Sequence, residues 1–133
     1  MSTPNLWGEI PSQTDVRAPV VILREQASKL SEVTNMVLVG QVNVARENNY
    51  IELNLEIVAP SLDHYTYRVL EASHQVLMYP VKVTDVNHAL PDEEPYVITC
   101  TNETEFTDTV ARILSSKKIH SVIASLIAQA RAF

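Results

Sequence analysis

The stretch HYTYRVLEASH, from His64 to His74, holds two histidines, two tyrosines and an arginine. Imidazole ligates metals and exchanges protons near neutral pH. Phenols and guanidinium donate hydrogen bonds to anions and carbonyls. Read as a β-strand, the segment gives His64 and His74 the same parity, so both project from one face. Ten residues at about 3.4 Å each then separate them by roughly 34 Å. That is too far for one metal ion or one small substrate. Tyr65, Tyr67 and Val69 share one side, and Leu70 and Ala72 share the other. The apolar side changes between Val69 and Leu70, which predicts either a β-bulge or a strand covered on both faces. His64, Tyr67 and Arg68, with His88 further along, are the candidate ligand-binding residues. The first three do not share a face in a regular strand, so such a site requires the bulge.

Other reactive groups are fewer. Asp85, Asn87 and His88 fall in or beside a loop and have oxygen and nitrogen donors for a metal; polar turn residues bonding the backbone are the competing reading, and no metal is expected. Asp92, Glu93 and Glu94 lie between Pro91 and Pro95 and read as a solvated acidic loop. Cys100 is the only cysteine, and no neighbour in sequence would lower its pKa; a small buried strand residue is expected. Lys117 and Lys118 stand at a helix start, where cations are unfavourable unless an anion or an acidic partner meets them.

Several chemistries have no motif here. The two glycines, Gly8 and Gly40, cannot build a phosphate loop, a dinucleotide fingerprint or a nucleophile elbow. One cysteine excludes a Cys-x-x-Cys pair. No cofactor and no catalytic residue is assigned.

The elements that would position these groups follow from periodicity. Residues 1–15 contain Pro4, Gly8 and Pro11, show no period and read as an irregular arm whose Leu6, Trp7 and Ile10 should dock. Pro19 suits a first helical position, and Val20, Leu23, Ala27, Leu30 and Thr34 form one stripe, giving a helix over 19–34. Residues 36–101 read as an antiparallel sheet of three to five strands, a meander. Its clearest part is a hairpin turning at Asn48 and Asn49, with paired positions summing to 97. In that register Val42, Val44, Leu53, Leu55 and Ile57 share an apolar face, and a one-residue slip would expose the last three. Asn102 and Glu105 look like a capping box, and residues 103–131 read as two helices. Ile119, Val122, Ile123, Leu126 and Ile127 are the expected buried stripe of the last one. The class is α+β, as one domain over 1–133.

Charge and composition bound the function. The net charge is −6, and no apolar run reaches membrane-spanning length, so neither nucleic acid nor a membrane is an expected partner. Residues 1–111 hold 6 basic and 16 acidic groups, a net of −10, while Arg112, Lys117, Lys118 and Arg131 give the rest +4. A basic C-terminal end lying on an acidic body is the expected arrangement. The start has neither basic residues nor an apolar core of signal-peptide type, and with a single cysteine this favours the cytoplasm. Apolar positions exceed what three short helices can cover. The reading is a non-enzymatic interaction or adaptor protein acting as a homo-oligomer, a dimer by default, with a further protein partner in view. Val39, Val58 and Tyr65, with Lys117 and Lys118, are its candidate partner-binding residues. The alternative is a small-ligand binder or enzyme with a pocket between the sheet and the C-terminal helices.

Overall fold

A computed structural model describes residues 2–11, 15–87 and 96–133. Helix α1 (Pro19–Val33) is followed by strands β1 (Val39–Glu47), β2 (Tyr50–Ala59), β3 (Tyr65–Gln75), β4 (Val81–Asp85) and β5 (Tyr96–Cys100), then helices α2 (Glu103–Leu114) and α3 (Lys117–Ala132). The strands pair antiparallel in sequence order, a five-stranded meander. The α+β class with one N-terminal and two C-terminal helices is therefore what the chain adopts.

The β1–β2 register runs from Val39 opposite Val58 to Glu47 opposite Tyr50, as the pattern requires. Asn48 and Asn49 take φ of 47° and 69°, the left-handed values that a tight hairpin turn demands and that asparagine tolerates. Leu53, Leu55 and Ile57 are buried; Val42 and Val44 are only half-buried, because β1 is an edge strand. Helix α1 lies over β1 at Gly40. A Cβ there would stand 2.4 Å from the Ala27 carbonyl oxygen, so only glycine permits this approach. The helix buries Ile22 beside Leu23 and Ala27. Ile22 lies off the stripe that the periodicity picked out.

Strand β3 carries the bulge. Leu55 faces Leu70 and Glu56 faces Arg68, so Val69 is the extra residue. Val69 and Leu70 both enter the core. Without the bulge, residues on one side of it would point the wrong way. Helix α2 starts as its capping signal implies: Asn102 Oδ1 accepts the Glu105 N–H at 2.8 Å. The Glu105 carboxylate reaches back one residue further than a standard box, accepting from Thr101 N–H at 2.8 Å and from the Thr101 hydroxyl at 2.7 Å. Phe106, Val110 and Ile113 fill the core beneath it. Helix α3 is capped by Ser116, whose hydroxyl accepts the Ile119 N–H at 3.3 Å. All three helices pack on the sheet face that carries Leu53, Leu55 and Ile57. The N-terminal arm, over its described residues, leaves Leu6 and Trp7 at 80 % and 82 % exposure instead of docking them.

Candidate functional site

The sequence-derived ligand set is not assembled. His64 sits in the turn before β3 with φ of 57° and is exposed. Tyr67 faces Ile57 on the helix-covered side of the sheet, and Arg68 faces Glu56 on the opposite side. Arg68 is held by Glu71 at 2.6 Å. His88 and the acidic loop at 92–94 lie outside the described residues. The equal parity of His64 and His74 does not survive either. His74, opposite Ile51, is buried on the helix side with Nδ1 2.6 Å from the Gln75 carbonyl oxygen, and the bulge breaks the alternation between the two.

Tyr67 has a structural partner. Its hydroxyl donates to Asn87 Oδ1. The Asn87 side-chain amide donates to the Val69 carbonyl at 3.1 Å, and its own backbone N–H donates to Asp85 Oδ1, also at 3.1 Å. Asn87, just past the end of β4, thus holds the bulge residue through its carbonyl. Burial, then the neighbouring Tyr65 and Asp85, raises the Tyr67 pKa, so the phenol stays a neutral donor. Asp85 and Asn87 are occupied by this turn. Among the described residues no group of three or more metal-ligating side chains converges. Cys100 is buried against the Thr109 hydroxyl at 3.5 Å, and burial pushes its thiol up, away from nucleophilic use.

The proposed surface patch divides in two. Val39 and Val58 do pair, and Val58 is buried. Tyr65 and Tyr67 lie on the other face, so they do not extend that patch; Thr66 is the residue opposite Val58. The outer face has instead a polar feature that sequence reading missed. Glu56, 8 % exposed, accepts hydrogen bonds from Gln41 Nε2 at 3.0 Å and from Asn43 Nδ2. Two amide donors offset the cost of holding that carboxylate away from water. The i, i−2 spacing of Gln41 and Asn43, with both registered near Glu56, was the available signal.

A cleft of about 530 Å³ between β3 and α3 brings Tyr65 and Tyr67 beside Ser121, Ser125 and Gln129, with no charged side chain among its lining residues; the other convergence is mainly apolar. A cleft of about 250 Å³ opens between α1, the sheet and the α2–α3 junction, walled by Leu30, Leu55, Ile57, Val69, Ile119 and Ile123. Leu30, Val33 and Ile123 also line a second groove of about 440 Å³ that runs along α3 past Val37 and Ile127, so the two adjoin. The cause lies in α3. Of its expected stripe only Ile119 and Leu126 are fully buried, while Val122, Ile123 and Ile127 stay half-exposed. Val33, at the end of α1, is 79 % exposed beside them. Lys29, His120 and Arg131 lie among the lining residues. Lys117 and Lys118 are exposed at the start of α3, where the first turn has no acidic residue. The ion pairs among the described residues join Arg17 to Glu25 and Glu103 and Arg68 to Glu71; none anchors α3 to the acidic body. No helix among the described residues is long and apolar enough to cross a membrane.

Comparison with protein-family models, with curated proteins and with solved structures gives no match.

Proposed function

We propose that this chain is a non-enzymatic interaction protein, working as a homodimer, that takes an apolar segment of a protein partner into the groove between α1 and α3. The observation that supports the reading is the pair of adjoining, mainly apolar clefts that share Leu30, Val33 and Ile123, with Lys29, Glu56, His120 and Arg131 as the charged or ionisable residues of their linings. The cleft between α1 and the α2–α3 junction, about 250 Å³, suits one or two anchoring side chains. The basic rim, with Lys29, His120 and Arg131, favours a segment that carries acidic residues beside its anchors.

The test is selection of displayed random peptides on the folded protein, followed by affinity measurement. The expected consensus has apolar anchors with Asp or Glu close by. Val33→Gln and Ile123→Gln should each weaken binding at least tenfold, while Glu52→Gln, on the exposed outer face, should leave it unchanged. Binders indifferent to Val33 and Ile123 would overturn the reading, as would turnover of a small-molecule substrate that these variants leave intact.

A further inference from the structure

Strand β1 is an edge strand, and the structure tells which of its backbone groups face outward. Gly40 N–H donates to the Ser31 hydroxyl at 3.0 Å, and Leu38 N–H donates to the Thr34 hydroxyl at 3.2 Å. Those side chains belong to the end of α1 and to the turn after it, not to β2. Even-numbered residues of β1 therefore point their N–H and C=O away from β2, and the odd-numbered ones bond to it. Ser31 and Thr34 occupy the edge at Leu38 and Gly40. Beyond them Val42, Val44 and Arg46 present outward groups with no hydrogen-bond partner among the described residues. The α1 end covers the edge at Leu38 and Gly40, but the open part from Val42 to Arg46 has one charge, Arg46, and no proline, lysine or bulge to blunt it.

We infer that β1 pairs with β1 of a second copy, antiparallel about a two-fold axis at Val44, joining two sheets into one of ten strands. This deepens the homodimer named above and rests on it. The register follows from the open length. Centring on Val44 sets Val42 against the partner's Arg46, Val44 against the partner's Val44, and Arg46 against the partner's Val42. All three are hydrogen-bonded pairs built from outward-facing groups. Moving the axis by half a step either way loses one such pair, because one side then runs into the Ser31 and Thr34 contacts and the other into the Asn48–Asn49 turn. Side chains agree with the backbone. Asn43 meets the partner's Ala45 and Gln41 meets the partner's Glu47, so no like charges oppose. Val44, half-exposed in one chain, gains the partner's Val44 on the helix-covered face, and Val42 lies against the aliphatic stem of the partner's Arg46. Because α1 lies over β1, the same axis brings two α1 helices side by side. That adds buried surface which a short ladder alone would lack.

Two measurements test this. Arg46→Pro removes an outward N–H at an exposed edge position that tolerates proline, while Arg46→Ala keeps it. Sedimentation should give Arg46→Pro a dimer dissociation constant at least tenfold above that of Arg46→Ala, with unchanged circular dichroism. Second, Asn43→Cys and Ala45→Cys chains, both altered on the exposed outer face, are mixed and mildly oxidised, once circular dichroism shows that Asn43→Cys keeps its fold after losing one of the two donors to Glu56. The mixture should cross-link far more than either alone, since like positions across the axis lie diagonally, at about 7–8 Å, beyond easy disulfide reach. Buried Cys100 stays out of the reaction. A dimer that neither cross-links through these positions nor responds to Arg46→Pro would overturn the pairing and leave the homodimer standing. A monomer at every concentration would overturn both.

Discussion

At the scale of single residues, the polar groups that drew attention by type are used to hold the fold. Asn87 is the clearest case. It accepts from Tyr67 and donates to the Val69 carbonyl, so Asn87→Ala leaves two partly buried groups without partners. Such losses cost about 1–3 kcal/mol. Urea denaturation should show that drop, and a shift under about 0.5 kcal/mol, the size typical of an indifferent surface site, would contradict the role given to Asn87. The local turn at Asp85 and Asn87 was legible as polar residues bonding the backbone, but the Val69 and Tyr67 partners, 18 and 20 positions earlier, were not. Glu105 was legible, as an acid three residues after a cap. The Thr101 N–H and hydroxyl hold its carboxyl below its ordinary value of 4.5. A carboxylate whose folded pKa is depressed contributes stability that is present above the unfolded pKa and is lost as pH falls through the folded one. Wild type should therefore lose stability relative to Glu105→Gln as pH falls below about 4.5. Parallel urea midpoints for the two proteins across pH 3–6 would remove Glu105 from the acid limb.

At the scale of elements, the β1–β2 hairpin was readable to the individual pair, because turn chemistry and hydrophobic alternation fixed one register independently. Strand β3 was readable only as a contradiction, a change of apolar side near Val69. Its resolution as a bulge depends on the neighbouring strand and on Asn87. Helix α1 rests on a contact that its own sequence does not announce, the Ala27 backbone against Gly40. In Gly40→Ala the new methyl group would stand 2.6 Å from the Ala27 Cα, so the helix must shift. Overpacking of this kind costs typically 1–3 kcal/mol, readable as a lower denaturation midpoint. A wild-type midpoint would mean that α1 is free to lift. Helix α3 was expected to bury a five-residue stripe, yet it fully buries two residues of it. The period was right, but no period can say how much partner surface a helix will find. Ending the chain before Ile119 removes Ile119 and Leu126 from the core, each contributing roughly 1.5–3 kcal/mol, and should destabilise the whole domain. Lys117→Ala with Lys118→Ala should stay within about 0.5 kcal/mol. If the double lysine variant falls as far as the truncation, then charge, not burial, holds α3.

At the scale of the whole molecule, the open edge residues Val42, Val44 and Arg46 are not among the residues that line the groove, although Gly40 and Thr34 border both. If the dimer forms, unfolding is linked to protein concentration. The thermal midpoint should rise with concentration for wild type and stay flat for Arg46→Pro. A flat wild-type series over a hundredfold range would argue for a monomer. The strand order adds a kinetic consequence. Each strand's ladder partner is also its neighbour along the chain, so the sheet can grow by closing short loops, the cheap kind of closure. The groove is different: its walls come from α1 and α3, on opposite sides of the sheet in chain order. Joining them closes the longest loops in the domain, and few fully buried side chains hold α3 in place afterwards. The sheet is expected to form before α3 docks. Amide hydrogens of α3 should exchange with solvent through local openings that leave β2 and β3 protected. The groove walls should then part far more often than the protein unfolds, which widens the cleft for a partner's anchor.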